Sequence, residues 1–280
     1  MTRYQCGRSG AENLRRCSSK PGGPPVPTSS RTADVVDFDE YPYVVRVSAD
    51  ADPSGAGTGW ADPITSAEVL ARQKVGFGGM IRLAQGRVLG PPSSPVTELL
   101  LGLLFWRSRS DAEAFAAELG RRRVNDGFVV DDGIYRFSAS VTADPDDPTQ
   151  VEPVRLRTGS AHEIITLAPV SGKQRWIAEY NESETRDHIR NLDGFVSTTI
   201  FRDLRSDRII EYVQWRSADD LTAAFGDERF AEHMSVNSHY SDGEAFFFGE
   251  RSTDAAPIDG PFGCTAADPA GHAIAPQDEA

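Results

Sequence analysis

The sequence is poor in cysteine, in positive charge and in long apolar runs. Its three cysteines in 280 residues are an odd number without the spacing of a disulfide framework or a zinc site. The net charge of −13 argues against nucleic-acid or anionic-membrane partners, which require a basic face. No apolar run has membrane-span length, and the N-terminus lacks a signal-peptide core. These absences predict a cytoplasmic enzyme or binding protein with uncharged partners.

Metal and dinucleotide sites are also not indicated. The histidines at 188, 233 and 239 are too scattered for a facial triad, so we expect no metal. The glycine-rich stretches at 55–60 and 76–80 lack the strand and glycine spacing of a dinucleotide-binding turn. Their glycines are therefore expected to serve loops and close packing, and no residues are assigned to cofactor binding.

One pattern occurs twice in the sequence. Residues 100–115 read LLGLLFWRSRSDAEAF and residues 209–225 read IIEYVQWRSADDLTAAF, so that Trp106 aligns with Trp215. Upstream of these stretches, GFGGMIRL at 76–83 aligns with GFVSTTIF at 194–201. The first copy has an insert, GRVLGPPSSPV at 86–96, that predicts a surface loop. The folding unit is therefore a repeat of about 100 residues, present twice.

Each copy is predicted to run strand, helix, strand, strand, helix, strand from its apolar periodicity. Ser217 with Asp220, and Ser108 with Asp111, resemble capping boxes at the start of the second helix. The elements of the second copy are predicted at 162–170, 172–193 with a glycine C-cap at 194, 195–204, 208–215, 217 through 225 and on towards 233, and 243–251. Those of the first copy are predicted at 41–49, 65–73, 76–84, 97–106, 110–122 and 134–143.

This order is the ferredoxin-like split βαβ arrangement. Because helices cover only one face of such a sheet, two sheets packed face to face would bury the other faces. The predicted fold class is α+β: two tandem ferredoxin-like βαββαβ repeats that form an intramolecular pseudo-dimeric α+β barrel. The predicted domains are a disordered N-terminal extension at 1–40, a first repeat at 41–142, a linker at 143–160, a second repeat at 161–251 and a disordered acidic tail at 252–280.

Several motifs resemble those of the antibiotic biosynthesis monooxygenase family of the dimeric α+β barrel superfamily. They are Pro169-Val170 with Gly172-Lys173, DGF at 193–195, and EYVQWRSADDLTAAF at 211–225. The resemblance covers 165–250 directly and 42–141 through the internal repeat. Tandem forms resemble oxygenases that tailor aromatic polyketides, including those that open the B ring of angucyclines. The resemblance implies an oxidoreductase with an aromatic polyketide and O2 as partners, and homodimers are also compatible with it.

The chain departs from this family at two positions. Members resembling the small anthrone oxygenases need no metal or bound cofactor and use an Asn and a His beside the Trp matched by Trp215. Here the Asn position is Glu211 and the His position is Phe201. In the first copy these positions hold Gly102 and Leu83. The departure predicts that reduced flavin (FADH2 or FMNH2), delivered by a flavin reductase, activates O2. Cofactor-independent anthrone-type oxidation, a polyketide cyclase and a non-catalytic binding barrel are the alternatives.

Alternation along the strands suggests a pocket in the second copy. It places Glu211, Val213 and Trp215 on one face of a strand, and we expect Ser197, Thr199 and Phe201 to share that face. The predicted catalytic residues are His188, Glu211 and Trp215, with His188 or Glu211 as the general base. The predicted substrate-binding residues are Trp176, Tyr180, Ser197, Thr199 and Phe201. Alternatively, Glu211 forms a salt bridge with Arg202 or Arg208, His188 ends a helix, and the aromatic residues belong to the core.

Overall fold

The computed structural model describes residues 37–50, 63–88, 99–126, 129–144 and 160–248. Most of the predicted N-terminal extension, linker and tail, and residues 89–96 of the insert, lie outside these ranges. Among the described residues, no helix is both long enough and apolar enough to cross a membrane.

The predicted βαββαβ order is confirmed in both copies. The first repeat consists of β1 (Tyr43–Asp50), α1 (Pro63–Ala71), β2 (Phe77–Val88), β3 (Leu99–Trp106), α2 (Arg109–Asp126), a short β4 (Val129–Val130) and β5 (Tyr135–Thr142). The second consists of β6 (Ala161–Pro169), α3 (Gln174–Asp187), a 3-10 helix (Ile189–Asn191), β7 (Phe195–Asp203), β8 (Ile209–Trp215), α4 (Ala218–Ala224), α5 (Glu228–Tyr240) and β9 (Ser241–Phe248).

Three of the differences from the predicted elements change the type of structure in a segment and not only its end residues. The helix expected to reach residue 193 ends at Asp187, and the 3-10 helix completes the segment. The helix expected to continue towards residue 233 is two helices, because Asp227 caps a new one by accepting a hydrogen bond from the Phe230 amide. The insert is not wholly a loop, since β2 continues to Val88 and its last two residues pair with β9.

The two repeats share one turn in detail. Gly76 and Gly194 have φ values of +83° and +82°, which favour glycine. Their carbonyls accept hydrogen bonds of 2.8 and 2.7 Å from the Arg107 and Arg216 amides, respectively. A side chain at either glycine would collide with the helix-capping aspartate of the same repeat, Asp111 or Asp220. The sequence repeat therefore encodes the same local geometry twice.

The strands form a closed ring of two tandem ferredoxin-like halves. The order is β1-β3-β2-β9-β6-β8-β7-β5, with β5 pairing back onto β1 and β4 added at the edge of β1. The halves join where β2 pairs with β9 and β5 pairs with β7. Apolar residues of both repeats, among them Phe105, Phe201 and Tyr212, fill the interior of the ring. A further apolar core lies between helices and strands in each repeat.

Candidate active site

A cleft lies in the second repeat, between the outer face of the sheet and the helices α3 and α5. Strands β6, β7 and β8 form its floor, and residues of α3, the 3-10 helix and α5 form its walls. Its lining is largely apolar but includes two carboxyl groups, Glu163 and Glu211, and one imidazole, His233. An apolar lining with a few convergent polar groups is typical of a small-molecule site.

Glu211 lies on the central strand β8 and is 5% exposed. Burial raises its pKa to about 7, and a hydrogen bond donated by the Asn181 amide opposes this rise. Asn181 reaches the carboxyl group because Ile177, Asn181 and Thr185 follow one another at four-residue steps on the buried face of α3. The alternative salt bridge to Arg208 does not form, because that guanidinium pairs with Asp131, Asp132 and Asp203 instead.

Glu163 is the second buried carboxyl group. It lies on β6 opposite Val213, while Ile165 lies opposite Glu211, so the two glutamates are diagonal neighbours on one face. The Trp215 indole Nε1–H donates a 3.0 Å hydrogen bond to Glu163. Burial raises the pKa of Glu163, the Trp215 hydrogen bond lowers it and the charge of Glu211 raises it, and the net result is a pKa of about 7. Because like charges this close resist joint ionisation, the pair can take up or release a proton near neutral pH.

The expectation that Ser197, Thr199 and Phe201 share the face of Glu211 is wrong. The register of β7 with β8 shifts between Phe195, opposite Trp215, and Ser197, opposite Gln214. A one-residue bulge sends every later side chain of the strand to the other face. Consequently Thr198 lines the cleft.

The three displaced side chains point away from the cleft and have other partners. Ser197 Oγ accepts a 2.9 Å hydrogen bond from the Gln214 amide. Thr199 Oγ1 lies 3.3 Å from Ser140 Oγ on β5. Phe201 belongs to the apolar interior of the ring, in aromatic contact with Phe38 at a centroid distance of 5.7 Å.

His188 does not line the cleft either. It is the C-cap residue of α3, and its Nε2 lies 2.8 Å from Asp227 Oδ1. This contact holds the pKa of Asp227 below its usual value. The wall at this end of the helix is formed by Thr185 and Ile189 instead. His188 therefore ends a helix, which was the alternative hypothesis to its role as a general base.

Trp176 and Tyr180 lie next to the cleft and not in its lining. Their rings stack at 5.6 Å, and Tyr180 stacks on His233 at 5.5 Å. Trp176 is 40% exposed. The two aromatic residues therefore continue outward from the cleft wall towards the surface.

Sequence reasoning did not assign to the site the cleft residues Glu163 and His233 or Asn181, which donates to Glu211, and two of these three had a visible signal. Glu163 alternates with Ile165 and Leu167 along β6, which places it on a core-facing side. Asn181 belongs to the four-residue stripe of α3. His233 was considered only as a metal ligand, and its place in the cleft depends on the break between α4 and α5. Within the ranges that the structure describes, no His, Cys, Asp and Glu side chains form a metal-binding group of three.

The matching region of the first repeat is filled. Tyr43 pairs with Trp106 in the first repeat, and Ala161 pairs with Trp215 in the second. Val45, two residues after Tyr43, therefore occupies the position of Glu163, two residues after Ala161. Gly102, at the position of Glu211, has no room for a side chain, because a Cβ would lie 2.9 Å from Val47 Cγ2. The buried Trp106 Nε1 has no hydrogen-bond partner among the described residues. The carboxyl pair is thus a property of the second repeat.

Comparison with known proteins relates the chain to monooxygenases. No family model matches it. It is 34% identical over 76 residues to the tetracenomycin F1 monooxygenase of Streptomyces glaucescens, covering 26% of this chain and 68% of that protein.

Two solved structures share the fold. One is an anthrone oxidase-like protein, with a TM-score of 0.51 and 14% identity, covering 79% of this chain and 97% of that one. The other, described as a monooxygenase of Fusobacterium nucleatum, has a TM-score of 0.50 and 6% identity, covering 75% and 92%. Because the sequence match extends over 68% of the Streptomyces protein, the chain belongs to the antibiotic biosynthesis monooxygenase family.

Proposed function

We propose that this protein is a monooxygenase that oxidises a phenolic ring of an aromatic polyketide in the cleft of the second repeat. The observation that carries the proposal is the Glu163 and Glu211 pair, two buried carboxyl groups with pKa values raised to about 7 in an otherwise largely apolar cleft. Groups that titrate near the working pH are suited to general acid–base catalysis. Oxidation or opening of a ring in an angucycline-type substrate is the narrower form of the proposal.

The chemistry requires a proton acceptor because triplet O2 reacts slowly with closed-shell molecules and faster with electron-rich anions. An ionised glutamate of the pair would take the proton of the phenol, and the resulting anion would transfer electrons to O2. If a ring CH2 becomes C=O, one oxygen atom enters the product and the other leaves as water. That conversion uses all four electrons that O2 accepts, so it needs no further reductant.

The residues of the cleft favour this cofactor-independent route over flavin. None of the cleft-lining residues is arginine or lysine, so the lining offers no cation for the phosphate of FMN or FAD. Reduced flavin from a reductase remains the alternative, and the observation that favours it is the presence of Glu211 and Phe201 at the positions where anthrone oxygenases have Asn and His.

Oxygen uptake with a hydroxyanthrone substrate tests the proposal. We expect uptake by the protein alone, and Glu211→Gln should lower kcat about 100-fold, the scale of a general base. Glu179→Gln, on the exposed face of α3, is the control and should leave kcat unchanged.

Uptake that starts only after FMN, NADH and a reductase are added together would establish the flavin route. Absence of uptake in both conditions would contradict the proposal. Oxygen-independent product formation would then identify a cyclase, and ligand binding without a product would identify a binding barrel.

A further inference from the structure

His233 lines the cleft and has a ring nitrogen whose hydrogen-bonding capacity is unused. It is 5% exposed, and its ring is held between Tyr180, stacked at 5.5 Å, and Phe230, tilted at 6.3 Å. Its Nδ1 is buried and has no hydrogen-bond partner among the described residues. A buried polar atom without a partner is uncommon in folded proteins and calls for an explanation.

The neighbouring Asn237 determines which ring nitrogen of His233 carries the proton. Asn237 Nδ2 lies 3.3 Å from the His233 carbonyl oxygen, which can only accept, so the amide nitrogen must face that side. The same Nδ2 lies 3.2 Å from His233 Nε2 and donates to it. Nε2 is therefore an acceptor, and in the neutral ring the proton resides on Nδ1. Burial, with a smaller contribution from the charge of His188, lowers the pKa of His233 to about 4, so the ring is neutral at pH 7.

We propose that the Nδ1–H of His233 donates a hydrogen bond to an oxygen of the substrate and thereby selects substrates that carry an acceptor oxygen. This inference rests on the proposed function, in which the Glu211 carboxyl group of the same cleft accepts a hydrogen bond from the substrate hydroxyl. The preferred ligand is a planar aromatic with both a carbonyl or phenolate oxygen and a hydroxyl group. An aromatic hydrocarbon would leave the Nδ1–H unpaired, and sites of this kind discriminate strongly against such analogues.

Equilibrium binding of unreactive probes tests this role separately from turnover. The probes are 1,8-dihydroxyanthraquinone, which has both kinds of oxygen, and anthracene, which has none. His233→Phe keeps a ring against Tyr180 and removes the donor, and we expect it to raise the Kd of the dihydroxyanthraquinone about tenfold or more. Its anthracene Kd should stay within about twofold of that of the unsubstituted protein.

Two further variants make the test specific. His233→Asn places an amide near the Nδ1 position and should restore most of the dihydroxyanthraquinone affinity. His239→Phe, the same substitution at an exposed position of α5, should change neither Kd.

Equal dihydroxyanthraquinone affinity in His233→Phe and the unsubstituted protein would overturn the assignment of His233 and leave the proposed function standing. An equal loss of affinity for both probes would also overturn it, because the ring would then act only through packing. Failure of the unsubstituted protein to bind the dihydroxyanthraquinone would overturn the proposed substrate class, and this inference with it.

Discussion

The Trp215 indole donates a 3.0 Å hydrogen bond to Glu163, whereas the matching indole of Trp106 is buried without a partner among the described residues. The difference arises because Val45 occupies the first-repeat position of Glu163. Two tryptophans that are equivalent in sequence thus have different roles. One positions a carboxyl group in the cleft, and the other fills a core.

Substitution of Trp215 by Phe should change the pH profile of the reaction. The Trp215 bond lowers the pKa of Glu163, so its loss should move that pKa upward, and the limb of kcat/KM that depends on an ionised carboxyl group should shift to higher pH. Oxygen-uptake rates between pH 5 and 9 would measure this. Trp106→Phe is the matched control and should leave the profile unchanged, and a shift of equal size in both variants would contradict the assigned role of Trp215.

Glu163→Gln should make the protein more stable at alkaline pH. The pKa of the Glu163 carboxyl group is about 7 in the folded protein and 4.5 for an ordinary glutamate, so the folded state holds the proton more tightly. Stability is therefore lost as pH rises from 4.5 towards 7, and glutamine avoids this loss. The gain at pH 8 should be on the order of 1–3 kcal/mol and should vanish below pH 4.5.

Urea unfolding across this pH range would measure the difference. Glu244→Gln, at an exposed position of β9, is the control and should show no pH-dependent gain. A Glu163→Gln variant that is equally stabilised at pH 4 and pH 8 would show that ionisation is not the cause.

Gly102→Ala should destabilise the protein without changing its turnover. The added Cβ would lie 2.9 Å from Val47 and 3.1 Å from Ile64, within the apolar core of the first repeat. Overpacking of this kind costs about 1–3 kcal/mol. Gly120→Ala, on the exposed face of α2 where an added Cβ meets nothing within 4 Å, should instead stabilise the helix by about 0.5–1 kcal/mol. A drop in kcat of folded Gly102→Ala protein would indicate that the first repeat takes part in the reaction.

Residues 155–255 expressed alone should self-associate. In the full chain, β7 pairs with β5 and β9 pairs with β2, so the isolated repeat would expose two strand edges and its half of the ring interior. Sedimentation should therefore show a dimer or larger species. A well-behaved monomer would mean that inter-repeat pairing is not needed to hold the second repeat in solution.

Sequence periodicity predicted the architecture well because every ring strand has apolar residues facing a core. It failed at β7, where the bulge before Ser197 reverses the faces and carries no glycine or proline to reveal it. The helix break at Asp227, which brings His233 to the cleft, had a signal in the sequence, because Gly226 and Asp227 are residues typical of a helix end followed by a helix N-cap. Glu211 and Trp215 were located correctly on one face because β8 is regular from end to end.

Covalent fusion of the two halves has an evolutionary consequence. In a ring assembled from two identical chains, each substitution appears twice, so neither site can lose its carboxyl groups without the other. Here a single chain supplies both halves, and Val45 and Gly102 stand in one repeat where Glu163 and Glu211 stand in the other. Selection can therefore act on the two repeats independently, and each ring carries one pair of buried carboxyl groups instead of two.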